Sequence, residues 1–107
     1  MKIITYTSST GKSPFYAWQK KLDAPTRAII RTRLDRISLG NLGDSKIVKG
    51  GEGIWELRID VGPGYRIYFG KNGTTIIVLL VGGAKKTQER DIAKAKQYWL
   101  ECKELLK

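Results

Sequence analysis

Apolar residues change their period twice along this chain, and those changes separate strands from helices. Ile3, Ile4 and Tyr6 predict a short first strand. Ser13 followed by Pro14 supplies an N-cap and a first-turn proline for a helix running to about Leu22, with Phe15, Trp18 and Leu22 on one buried stripe. Asp23-Ala24-Pro25 interrupts that helix and starts another. Ile30, Leu34 and Ile37 recur at helical spacing until Gly40 and Gly43 end it, so the expectation is a helical hairpin.

From Ser45 the period becomes alternating. Trp55, Leu57 and Ile59 take one face of a strand and leave Glu56, Arg58 and Asp60 on the other. Gly62-Pro63-Gly64 turns the chain into Tyr65-Arg66-Ile67-Tyr68-Phe69, and Lys71-Asn72-Gly73 turns it again. The segment from Thr75 to Val81 is apolar on both faces, which predicts an interior strand that Gly82-Gly83 then ends. Thr87 can cap a final helix whose stripe is Ile92, Ala95, Trp99, Cys102 and Leu106. This order predicts an α+β fold, helices against a sheet, and no repeat or linker divides residues 1–107 into more than one domain.

Composition narrows the chemistry. The 107 residues hold 20 Lys+Arg against 10 Asp+Glu, no histidine, and a formal charge of +10. Without histidine there is no His-paired nucleophile and no ordinary histidine metal site, and one cysteine, Cys102, allows neither an intrachain disulfide nor a cysteine-rich zinc site. Cys102 falls on the helix stripe and reads as a core thiol. No cofactor is expected: Gly50-Gly51-Glu52-Gly53 has the composition of a phosphate loop, yet no Gly-Lys-Ser/Thr and no helix follow it, so it reads as a turn. The N-terminus meets polar residues too early for a signal-peptide core, and the longest apolar run, Ile76 to Val81, is too short to span a bilayer, so the expected setting is cytoplasmic with no membrane partner. The excess of cations points to a polyanion.

The informative constellation is basic: Lys46, Lys49, Arg58, Arg66, Lys85 and Lys86, expected on an exposed sheet face and its loops. Simple hairpin register brings Arg58 beside Arg66. Such a cluster suits RNA, whose phosphates guanidiniums bind bidentately while Tyr65, Tyr68 or Tyr98 stacks a base. It could also cleave RNA, because the 2′-hydroxyl is a built-in nucleophile that needs alignment, charge stabilisation and proton transfer. For the protons the choices are Glu56, Asp91, a tyrosine or a lysine. A cross-strand surface ion pair with Arg58 is the simplest reading of Glu56.

The run Lys49-Gly50-Gly51-Glu52-Gly53-Ile54-Trp55-Glu56-Leu57-Arg58-Ile59, then Tyr65-Arg66-Ile67-Tyr68-Phe69, then Leu79-Leu80-Val81-Gly82-Gly83-Ala84-Lys85-Lys86-Thr87-Gln88 resembles the RelE/ParE superfamily of bacterial toxins, most closely its HigB-like, phage-derived addiction module killer branch. The resemblance implies a RelE-like antiparallel sheet of about four to five strands with an N-terminal helical hairpin and a C-terminal helix. It implies the toxin of a type II toxin–antitoxin system: a ribosome-dependent mRNA endoribonuclease that arrests translation or, in the ParE manner, a DNA gyrase inhibitor without nuclease activity. The family's Tyr-Arg arginine maps onto Arg66, its basic position after the last strand onto Lys85 or Lys86, an earlier basic strand position onto Arg58, and the Trp-Glu-Leu-Arg pattern adds Glu56. Lys46 and Lys49 are then expected to dock ribosomal RNA. The implied partners are a small antitoxin, often of helix-turn-helix type, mRNA on the ribosome, and operator DNA through the antitoxin alone; the +10 charge predicts that the antitoxin is acidic and extended. Some HigB relatives use histidines that this chain lacks.

Overall fold

The computed structural model describes residues 1–106. Its strands are β1 (Lys2–Thr5), β2 (Ser45–Ile47), β3 (Ile54–Ile59), β4 (Tyr65–Asn72) and β5 (Ile76–Ala84); its α-helices are α1 (Pro14–Gln19), α2 (Ala24–Ser38) and α3 (Gln88–Lys103). All five strands form one sheet in the order β1-β5-β4-β3-β2. β1 runs parallel to β5 and the other pairs are antiparallel, so the sheet is mixed where a wholly antiparallel one was expected.

Each sheet face carries its own core. On one side Leu57, Ile59, Ile67, Phe69, Ile77 and Leu79 pack with Phe15 of α1 and Ile30 and Ile37 of α2. On the other, Ile54, Tyr68, Val78, Leu80 and Val81 pack with Ala95 and Trp99 of α3. The interior placement of β5 and its cover on both sides follow from its unbroken apolar run.

The expected helical hairpin is absent. α1 has only six residues and lies against β5, whereas α2 leans on β1. The reason is local: α1 stops at Gln19, short of Leu22, and the extended Asp23 (φ −70°, ψ 162°) starts α2 in a new direction. The Asp23 side chain accepts from the Thr26 amide at 3.1 Å, and the Thr26 hydroxyl and amide hold its carboxyl below the usual carboxylate range.

Gly82-Gly83 does not end β5, which continues to Ala84. These glycines sit where helices press on the sheet: a Cβ at Gly82 would lie 2.3 Å from the Trp18 ring, and one at Gly83 would lie 1.9 Å from Asp91 Oδ2. On β4, a Cβ at Gly70 would stand 2.4 Å from the Trp99 ring. Thr87 is the N-cap residue of α3 without capping through its side chain. A 3-10 turn, Lys85–Thr87, precedes the helix, and the Thr87 hydroxyl turns to Asp91 Oδ2 (2.6 Å) and the Ala84 carbonyl (3.1 Å). The Gly50–Gly53 segment is a hydrogen-bonded turn, as expected, closed by Val48 N–H to the Ile54 carbonyl at 2.8 Å. Cys102 packs at the edge of the α3 core; Leu106 falls outside the described side chains.

Two predictions test this packing. Gly82→Ala should destabilise the fold by about 1–3 kcal/mol, because Trp18 must move, as a shifted urea midpoint at unchanged slope will report. Asp23→Ala should lower the melting temperature at neutral pH. The native carboxyl titrates below its ordinary 3.8, so its contribution is present above that pH and is lost as pH falls through the depressed native value. Melting curves of the two proteins should therefore converge in acid.

Candidate functional site

The alternation of β3 and β4 builds the site. Arg58 stands directly opposite Arg66, and Glu56 directly opposite Tyr68, all on the sheet face that α3 covers. The neighbouring strands extend both rows: Lys46 of β2 lies opposite Glu56, while Gly83 of β5 lies opposite Arg66. Five of the expected site residues, Lys46, Glu56, Arg58, Arg66 and Tyr68, thereby meet in one place.

They meet around a buried carboxylate. Glu56 is 2% exposed, and its Oε1 accepts from Arg58 Nε at 3.2 Å, with Arg66 Nη1 at 3.8 Å and Lys46 Nζ at 3.9 Å. The surface ion pair expected of Glu56 is thus a buried hub. Its bond to Arg58 runs along one strand between residues i and i+2 and not across strands. The expected exposed face is likewise graded: the Arg66 side chain is only 11% exposed, Arg58 36% and Lys46 59%. Two guanidiniums directly opposite each other repel, and a carboxylate between them in a low-dielectric setting offsets that repulsion.

The remaining basic residues lie at the rim. Lys49 is exposed beside the Gly50–Gly53 turn, and Lys85 and Lys86 are exposed in the turn before α3. The Lys85 amide donates to the Gly64 carbonyl at 2.9 Å, which ties this turn to the chain entering β4. Lys85 and Lys86 also line an open depression with Thr87, Gln88, Glu89 and Arg90. Arg90 was not singled out in the sequence; its signal is its place one turn into α3 beyond the lysine pair.

The tyrosines take other roles than base stacking. Tyr65 lies on the opposite sheet face, edge-on to Trp18 with ring centroids 5.9 Å apart. Tyr68 is fully buried and offers no ring face to a ligand. Burial, with Glu56 and Asp91 nearby, pushes its hydroxyl well above the ordinary phenol range, against the opposing pull of Arg66. Tyr98 stacks on Tyr6 at 4.8 Å. Asp91 is buried over Gly83, held by the Thr87 hydroxyl, with Arg90 Nε 3.8 Å from its Oδ1. Both carboxylates considered for proton transfer are therefore internal anchors. Among the described residues, no cluster of His, Cys, Asp and Glu could hold a metal ion, and no helix is long and apolar enough to cross a membrane.

Residues 17–99, which carry nearly all of this site, match the family described as phage derived protein Gp49-like (DUF891). The chain belongs to that family, which falls in the addiction-module killer, RelE-like toxin group. It is also similar to a protein of Haemophilus influenzae described as uncharacterized, with 45% identity over 83 residues, covering 77% of this chain and 82% of the relative.

The buried hub predicts a sharp contrast between substitutions. Glu56→Ala should cost about 3 kcal/mol, the low end for breaking a buried pair, since Arg58 and Lys46 keep access to water. Lys85→Ala and Lys86→Ala should each stay within about 0.5 kcal/mol of the parent in the same denaturation assay.

Proposed function

We propose that this chain is the toxin of a type II toxin–antitoxin pair and acts as a ribosome-dependent mRNA endoribonuclease. The observation that carries this reading is the opposed pair Arg58 and Arg66, preorganised on Glu56 together with the exposed Lys46. Membership in a toxin-group family supports the same reading.

The reaction asks little of the protein. The 2′-oxygen forms a bond to the adjacent phosphorus, the P–O5′ bond breaks, the 2′-hydroxyl proton passes to solvent water and one proton is delivered to O5′. Extra negative charge develops on the phosphoryl oxygens, and Arg66 with Arg58 stabilises it. Because these guanidiniums are held before substrate arrives, little reorganisation is needed at the moment of reaction. With Glu56 and Asp91 buried, proton delivery to O5′ falls to Lys85 or Lys86, the exposed cations nearest the end of β5. Lys46 and Lys49 contribute screened, long-range attraction to ribosomal RNA, and the bases are read by the ribosome's pairing and not by the buried Tyr68. An antitoxin with an acidic segment matches the +10 charge of the chain, and operator DNA is reached through that partner.

Primer extension on a reporter mRNA, with and without translating ribosomes, tests the reading. Cleavage should occur only on ribosomes and should fall by about 10²–10³-fold in Arg66→Ala, the loss expected for one donor to a developing oxyanion. Undiminished cleavage or growth arrest by Arg66→Ala would sink the proposed role. No cleavage by the parent, together with inhibition of gyrase supercoiling, would replace the nuclease reading with the gyrase one.

A further inference from the structure

The cationic hub leaves two polar atoms with nothing to bond. Glu56 Oε1 gathers Lys46, Arg58 and Arg66, while Oε2 is buried with no hydrogen-bond partner among the described residues; the Tyr68 hydroxyl is in the same condition. An unpaired buried polar atom is costly, and nearly all such atoms in folded proteins find a partner in protein or bound water. Here the two deficits are complementary, since a phenol O–H donates and a carboxylate oxygen accepts.

The surroundings leave the hydroxyl little choice. Tyr68 and Glu56 stand directly opposite on β4 and β3 and share one face. The charged groups that act on the Tyr68 hydroxyl are Glu56, Asp91 and Arg66. Arg66 has no acceptor to offer. Asp91 Oδ2 is already taken by Thr87, and Arg90 lies by its Oδ1. Glu56 Oε2 is the acceptor left over.

We propose that Tyr68 is a positioning residue for Glu56, its hydroxyl donating through one bound water to Oε2. The final torsion of a glutamate is soft and roughly two-fold, so a carboxylate bonded through one oxygen alone can swivel. Tying Oε2 to β4 fixes the swivel and keeps Oε1 aimed at the three cations. Tyr68 then acts on the phosphate-binding arginines without touching substrate. Its activity readout rests on the nuclease reading; its structural readout does not.

The test is Tyr68→Phe, which keeps the ring and deletes the hydroxyl, followed by nuclear magnetic resonance of arginine-labelled protein. In the parent, Arg58 Nε–H is bonded to Glu56 Oε1 and should exchange slowly with water. In Tyr68→Phe that signal should move and exchange at least about fivefold faster, as expected when a buried hydrogen bond loosens. The melting temperature should fall by about 4–8 °C, and kcat for cleavage on ribosomes by about tenfold with KM unchanged. Tyr6→Phe removes a hydroxyl bonded to Glu101 elsewhere on the same side, and should lower the melting temperature while leaving the Arg58 signal as it was. An Arg58 signal unchanged in Tyr68→Phe overturns the proposal, whatever happens to stability. Should the parent cut no RNA, the nuclease reading fails and the Arg58 signal alone decides the role of Tyr68.

Discussion

Two guanidiniums directly opposite each other on neighbouring strands would push β3 and β4 apart were it not for the carboxylate set between them. Glu56 reverses the sign of that interaction, and most features of the α3 face follow from the need to keep it in place. Its burial makes each contact stronger than it would be in water. Its position opposite Tyr68 links the hub to the hydrophobic core. Asp91 over Gly83 then brings the start of α3 down beside Arg66's partner position, so the lysine turn and the arginine pair belong to one rigid assembly. Preorganisation of this kind is what an electrostatic catalyst without histidine requires.

The site combines a fixed interior with a mobile rim. Arg66 is nearly enclosed and Arg58 partly so, while Lys46, Lys49, Lys85 and Lys86 reach into water on flexible stems. Guanidiniums held by a carboxylate keep their geometry, and ammoniums on free stems adapt to what arrives. A nuclease that depends on a large ribonucleoprotein to present its substrate is suited by this division. On the proposed reading, the chain would supply charge in fixed positions and leave alignment of the message to the ribosome.

Much of this was legible in the chain itself. Period-two parity places Trp55, Leu57 and Ile59 on one face and Glu56 and Arg58 on the other, and the turn at Gly62-Pro63-Gly64 sets Arg58 against Arg66. The same parity separates Tyr65 from Arg66 and Tyr68 and turns it toward Trp18 on the other face. Parity says which face a side chain takes but not what covers that face. The burial of Glu56 and Tyr68 depends on α3, which approaches from much later in the sequence and is admitted by Gly70 and Gly83. A glycine pair at the end of an apolar run reads locally as a stop; only the positions of Trp18 and Asp91 show why β5 needs glycines while still extended. The helical hairpin failed for a similar reason, because spacing registers two helices and a break without giving the angle between them. The parallel pairing of β1 with β5 left no local signal at all.

That parallel pairing also orders events in time. β1 is made first, yet its only partner in the sheet is β5, which leaves the ribosome after every other strand. Until then the opening segment has no edge to join, and α3, made later still, has not closed over Glu56. Sheet closure therefore waits for nearly the whole chain, a nonlocal step that is slow compared with forming the β3–β4 hairpin. A nascent chain of this toxin-group family would carry its arginine pair exposed, lacking both the lysine turn and the helix that buries its counter-charge. Such a chain has the two strands that carry the arginine pair before it has the site they belong to.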